Sequence, residues 1–301
     1  MTKKAKFGVL LPTWYLSYDD AIREPLVWGA SQVPIWAVVC SDHDLTGAVT
    51  PLCDRSTTTA NKTDKAIAQL RRAGVHILHY VHSRKLYWAN GSAEGCKPHC
   101  ECCDSLVNVT QRVDEVLRLW PEDGLFIDNV NGSRALEGYY SAVYNHTQRR
   151  APREVILNMG DRYRNWSWLF DYASMIVGAE TYVAQFNETT SLVKRDFDYF
   201  RFSQRLAAIV YDDKPTACNA SECWKQYVDL AIDRGFTKIW FQGSSWQTTY
   251  WRTMVEYLRS KNQLLDLAEL KTDDAVNDAW VRFGDGLQLG FNGSRQCHAP
   301  M

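Results

Sequence analysis

The sequence predicts a closed (β/α)8 TIM barrel, one domain over residues 1–260, followed by a C-terminal tail over 261–301 that is either packed or loose. Three observations carry this expectation. Short β-branched or aromatic runs alternate with longer amphipathic stretches along the chain. Runs such as Ile35–Cys40 and Ser174–Ala179 are continuously apolar, as parallel strands covered on both faces must be. Eight such units within about 260 residues match this barrel in count and length. An open doubly wound sheet is the competing architecture, and it lacks a Gly-x-Gly-x-x-Gly after the first strand.

The strands are read, in order, as Phe7–Trp14, Pro34–Cys40, Val75–His82, Gly124–Val130, Glu154–Gly160, Ser174–Tyr182, Leu206–Asp212 and Phe236–Ser244. Between and after them the helices fall at Asp64–Ala73, Leu106–Trp120, Leu136–Arg149, Trp166–Tyr172, Leu192–Phe202, Trp224–Arg234 and Tyr250–Ser260. Asp64–Ala73 stops at Gly74, a natural C-terminal cap. Leu106–Trp120 aligns Val109, Val113, Val116, Leu117 and Trp120 on one face and stops at Pro121. Only the first connection, Leu16–Val33, shows no clean helical period.

Composition narrows the function classes. With 46% apolar and 23% charged residues well mixed over 301 positions, the chain is not mostly disordered. Lys and Arg total 34 against 35 Asp and Glu, so there is no basic field to attract nucleic acid. No apolar run approaches the roughly 20 residues that span a bilayer.

Nine of the thirteen asparagines begin an Asn-x-Ser/Thr sequon: Asn61, Asn90, Asn108, Asn131, Asn145, Asn165, Asn187, Asn219 and Asn292. Chance would place one or two. The excess points to a glycosylated protein in a secretory pathway, extracellular or in a cell wall. Nine cysteines fit an oxidising compartment. Cys218 with Cys223, and Cys40 with Cys53, could each close a small ring. Cys96, Cys100, Cys102 and Cys103 crowd one segment beside His99, where disulfides are the plainer reading and a metal site the sharper one. The odd count leaves one thiol free or paired with another chain. Met1–Lys6 is basic, but the apolar run behind it is short and has no cleavage site, so a mature or trimmed form is expected.

In this fold the reacting groups come from the carboxyl ends of the strands and the loops after them. Strand four ends in Asp128 and Asn129, strand five in Asn158-Met-Gly160, strand six in Glu180. Tyr80 and His82 close strand three, Tyr211 strand seven, and Gln242 strand eight. Carboxylates on strands four and six start roughly 10 Å apart, two strand spacings, and can converge to the separations glycosidases use. One would protonate the leaving oxygen while the other acts as nucleophile or activates water. Either could instead pair with an Arg or cap a helix. Twelve Trp and fifteen Tyr, several of them near strand ends (Trp14, Tyr15, Tyr80, Tyr182, Trp246), suit a cleft that stacks sugar rings, though barrel cores also consume such rings. His79 and His82 lie three apart and form no metal-binding pair, Gly-x-Ser-x-Gly is absent, and no catalytic metal or cofactor is expected.

The chain resembles the spherulin 4 (spherulation-specific) family and the related glycoside hydrolases that cleave galactosaminogalactan. The matching segments are Gly8-Val-Leu-Leu-Pro12, Gly74-Val-His-Ile-Leu-His-Tyr-Val81, Trp120-Pro-Glu-Asp-Gly-Leu-Phe-Ile-Asp128, Val155-Ile-Leu-Asn-Met-Gly160 and Val177-Gly-Ala-Glu-Thr-Tyr182. They occur in order over roughly residues 7–245. The resemblance implies a (β/α)8 barrel with acidic residues at the ends of strands four and six, which fall on Asp128 and Glu180. Departures exist. The family's Asp-Glu after strand four is Asp128-Asn129 here, its Asn-Pro-Gly after strand five is Asn158-Met159-Gly160, and its Asn-Pro after strand two is replaced by Cys40-Ser41-Asp42.

The expected function is therefore a secreted glycoside hydrolase acting on an amino-sugar-containing or related polysaccharide or oligosaccharide. Asp128 is taken as nucleophile or stabiliser and Glu180 as acid/base, with the reverse assignment open; Asn129, Asn158, Tyr80, Tyr211, Gln242 and Trp14 would hold the sugar. Asn129 cannot exchange a proton near neutral pH, which keeps a weakened or inactive carbohydrate-binding barrel as the alternative. A cell-wall scaffold is a third possibility.

Overall fold

A computed structural model of the chain describes residues 6–12, 20–39, 57–83, 105–149, 153–160, 167–187, 205–211, 223–242 and 248–270. Its strands are β1 (Val9–Pro12), β2 (Ile35–Val39), β3 (His76–His82), β4 (Gly124–Asp128), β5 (Val155–Asn158), β6 (Met175–Tyr182), β7 (Leu206–Tyr211) and β8 (Lys238–Gln242). They form one parallel sheet in sequence order. Gly8 closes it by bridging to Lys238, receiving the Ile239 N–H at 3.0 Å and donating to the Thr237 carbonyl at 2.9 Å. The chain is thus a single (β/α)8 barrel, as its alternating runs predict.

Helices cover the outside: α1 (Asp20–Ala30), α2 (Thr57–Arg72), α3 (Leu106–Leu119), α4 (Glu137–Gln148), α5 (Cys223–Asp233) and α6 (Thr248–Leu270). Short 3-10 helices at Arg134–Leu136 and Ser167–Tyr172 complete the connections around β5, the second standing where a helix over Trp166–Tyr172 is expected. The α3 stripe is as the spacing predicts: Val109, Val113, Val116, Leu117 and Trp120 are all buried, and Ser105 caps the first turn by accepting the Asn108 N–H at 3.1 Å. The expected helix Leu192–Phe202 lies outside the described residues. The last helix runs through residue 260 to Leu270, and 271–301 lies outside the described residues.

The first connection departs from expectation. It holds a full helix, α1, whose core-facing positions include Leu26 and Gly29. A Cβ on Gly29 would come within 2.7 Å of the Trp251 ring and 2.8 Å of Ile35, so the glycine is where α1 and α6 close on the barrel. Trp251 Nε1 donates to the Pro25 carbonyl at 2.9 Å. An apolar period carried by a glycine and a proline is invisible to a count of large side chains.

The pleat of β3 sorts its side chains. His79 faces the helices, stacked on Trp120 at 4.2 Å between ring centroids, with Nε2 bonded to Asp123 Oδ2 at 2.8 Å. Arg71 of α2 holds both Asp123 oxygens at 2.8 Å. Burial lowers the His79 pKa, against the raising effect of Asp123. Tyr80 and His82, on the other face, point to the interior and mouth.

Candidate active site

Parallel strands in a barrel deliver all their carboxyl ends to one mouth. There Asn158 Nδ2, at the end of β5, donates to Asp128 Oδ1 at 2.7 Å and to Glu180 Oε2 at 2.5 Å. The Asn158 amide is oriented from behind, because its Oδ1 accepts the Gly160 N–H at 3.0 Å. Gly160 has φ +64°, a conformation open to glycine at no steric cost. With its oxygen engaged by the backbone, the amide presents only donors to the carboxylates.

Each carboxylate is supported on its far side as well. Tyr80 donates its hydroxyl to Asp128 Oδ2 at 2.6 Å, and Asn129 Nδ2 reaches the same oxygen at 2.7 Å. Tyr211 donates to Glu180 Oε1 at 2.5 Å. Burial, then the charge and hydrogen bond of Glu180, push the Tyr211 phenol pKa well above its ordinary value, so it remains a donor throughout the working pH range. Tyr80 and Asn158 are buried, whereas Asp128, Glu180 and Tyr211 are partly exposed. Rigid supports lie below and the carboxylates at the surface of the mouth.

A bulge aims Glu180. The β6–β7 register jumps between Val177 and Ala179, so Gly178 is skipped in the ladder and Glu180 comes opposite Ile209. Such a bulge turns the side chains beyond it. At β4, Asn129 takes φ +58°, which an asparagine adopts more readily than most residues. Ser83 Oγ reaches the Asp128 carbonyl at 2.7 Å and that of Asn129 at 3.1 Å, fixing this strand end.

Of the eight residues expected at a sugar site, the structure brings Asp128, Glu180, Asn129, Asn158, Tyr80 and Tyr211 into one hydrogen-bonded cluster. Gln242 ends β8 opposite Tyr211 in register. Trp14 lies outside the described residues. His82, which its spacing from His79 does not mark as a site residue, also belongs to the cluster: its Nε2 receives Asn129 Nδ2 at 3.1 Å. Reading His82 by strand parity with Tyr80, two residues earlier, places it at the mouth.

Among the sequon asparagines, Asn108, Asn145 and Asn187 are exposed and Asn131 is partly buried, its Oδ1 accepting the Ser133 N–H at 2.9 Å. Asn61 lies in α2; Asn90, Asn165, Asn219 and Asn292 lie outside the described residues, as does the Cys96–Cys103 segment. Among the described residues, no group of three or more His, Cys, Asp or Glu could hold a metal ion, and no helix is long and apolar enough to cross a membrane.

No family model matches the chain, and no curated protein sequence does. Solved structures do. The chain is similar to Sph3 of Aspergillus clavatus, determined in complex with GalNAc, with a TM-score of 0.60 and 15% identity over 86% of this chain and 99% of that one. It is similar to the noncanonic maltogenic α-amylase AmyB of Thermotoga neapolitana, with a TM-score of 0.52 and 8% identity over 84% and 76%. The spore cortex-lytic enzyme SleL of Bacillus cereus aligns with a TM-score of 0.50 and 8% identity over 86% and 75%. At these identities the shared property is the fold.

Proposed function

We propose that the chain is a secreted, glycosylated glycoside hydrolase that cleaves an amino-sugar-containing polysaccharide or oligosaccharide with Asp128 and Glu180. One observation carries this reading: Asn158 Nδ2 bonds an oxygen of each carboxylate. Two oxygens sharing one nitrogen at these lengths lie within roughly 5 Å of each other, which favours the close carboxyl pair of retaining glycosidases over the wider pair of inverting ones. The barrel shared with the GalNAc-bound Sph3 structure supports the class of substrate by analogy of fold.

The chemistry follows from the supports. Three donors, from Tyr80, Asn129 and Asn158, converge on Asp128, an arrangement suited to a carboxylate that works charged, as nucleophile or stabiliser. Glu180 then protonates the glycosidic oxygen and afterwards deprotonates the incoming water. Asn158 holds the two oxygens in register through both steps.

A second reading is favoured by Asn129, an amide where the resembled family carries a carboxylate: the barrel binds sugar without turning it over. Release of reducing ends from a polysaccharide panel that includes galactosaminogalactan, by the parent beside Asp128→Asn and Glu180→Gln, separates the two. Turnover in the parent that is lost in both variants, with the anomeric configuration of the product retained, is the expected result. Full turnover in either variant sinks the pair, and binding without turnover in the parent selects the second reading.

A further inference from the structure

The Asn129 side chain has two neighbours of opposite kind. One is the Asp128 carboxylate, 2.7 Å from Nδ2; the other is the ring of His82, whose Nε2 lies 3.1 Å from the same nitrogen. If the amide were turned, its oxygen would face a carboxylate oxygen, two acceptors in contact, so Nδ2 is the atom between them. An N–H can only be received by an unprotonated ring nitrogen. This arrangement requires a neutral His82 with its proton on Nδ1, and the residue is buried, at 4% exposure.

From this geometry we infer that His82 is a positioning residue for Asp128, acting through Asn129. The inference rests on reading Asp128 as a working carboxylate. Neutral His82 accepts one N–H of Asn129, which leaves the other directed at Asp128 Oδ2. A proton added at His82 Nε2 sets N–H against N–H. The amide then turns to offer its oxygen to the ring, and Asp128 loses one of its three donors. The ionisation of His82 is thereby coupled to the support of a carboxylate that it does not touch.

The groups around His82 fit this role. Arg112 of α3 donates to its backbone carbonyl at 2.6 Å, which pins the strand end. Among the described residues, Asp128 of β4 lies beyond the Asn129 amide and the Tyr80 ring is 6.1 Å away on the same strand. The asparagine at position 129 then has a function of its own: it tolerates φ +58° and supplies a two-donor bridge.

The test combines a spectroscopic and a kinetic readout. In the full chain labelled at histidine nitrogens, long-range proton–nitrogen correlation should find His82 Nε2 unprotonated at neutral pH; an Nε2–H tautomer overturns the inference. For turnover, His82→Gln keeps an acceptor where Nε2 stood but does not titrate. Its kcat at neutral pH should stay within a few-fold of the parent while the acid-side inflection of the pH profile moves or disappears. His82→Ala should lower kcat about 10²-fold with KM little changed, the scale of a small misplacement of a reacting group. An acid inflection unmoved in His82→Gln overturns the inference. Asp128→Asn keeps the two ideas apart: full turnover there refutes the catalytic reading of Asp128, whereas the His82 tautomer reports on the Asn129 bridge without any substrate.

Discussion

Asp128 and Glu180 meet on a single nitrogen, Nδ2 of Asn158, at 2.7 and 2.5 Å. Two carboxylates this close repel each other unless something between them donates to both. A neutral amide does so without adding a charge of its own, and its own oxygen is held by the Gly160 N–H. Asn158→Ala should therefore lower kcat about 10²-fold, with a smaller effect on KM, because the pair loses its spacing. Asn158→Asp keeps the shape but replaces the donor with a third carboxylate, and should be no better. Steady-state kinetics on the best substrate of the panel checks both; an Asn158→Asp variant as fast as the parent would refute the bridging role.

Tyr182 stands half exposed at the end of β6, its ring centroid 6.0 Å from that of Tyr211. As two residues past Glu180 on the same strand face, it would offer an aromatic surface to a sugar at the proposed carboxylate pair. Tyr182→Ala should raise KM about five- to tenfold at nearly constant kcat, matching roughly 1 kcal/mol of lost ring contact, and Tyr182→Phe should not. Unchanged KM in the alanine variant removes Tyr182 from the proposed sugar site.

Acid stability should depend on His79. Its pKa in the folded protein is lowered from 6.5, chiefly by burial. Below about pH 6.5 the unfolded chain takes up a proton that the buried ring resists, so this contribution is complete above that pH and is lost as the pH falls toward the folded value. The ring has no acceptor for a second proton, since Nδ1 is buried without a hydrogen-bond partner. In denaturant titrations between pH 8 and 5, the parent should lose stability downward. His79→Leu, weaker throughout by about 1–3 kcal/mol for the donor lost to Asp123, should show a shallower slope. Equal slopes would exclude His79 as the source.

The barrel seam should not accept a side chain at Gly8. A Cβ there would lie 2.4 Å from the Pro34 carbonyl oxygen and 2.9 Å from the Trp36 ring. The first contact is backbone in the loop entering β2 and cannot give way cheaply. Gly8→Ala should cost about 1–3 kcal/mol, read as a lower thermal midpoint, while turnover well below that midpoint persists because the mouth is at the other end of the strands. A midpoint equal to the parent's would mean that closure has slack.

Much of the fold was legible because parallel strands buried on both faces must be apolar throughout. Ile35–Val39 and Leu206–Val210 carry that requirement openly, and all five residues of each are buried. The candidate site was legible for a similar reason: a polar residue ending an apolar strand, as Asp128 ends Gly124–Asp128, marks the mouth. α1 escaped because Gly29 packs by being small. His82 escaped because its meaning lies in parity with Tyr80 and not in its spacing from His79.

The sequence by itself determined the barrel, the strand ends and the short set of polar residues standing on them, since each follows from local pattern and from which surfaces must avoid water. Tertiary structure alone decided how those residues combine. The bulge at Gly178 aims Glu180, the Gly160 N–H turns the Asn158 amide toward both carboxylates, and the left-handed backbone at Asn129 sets it between Asp128 and His82. These are choices of angle and hydrogen-bond direction among residues from four different strands, and no one-dimensional pattern encodes a direction shared by groups so far apart in the chain.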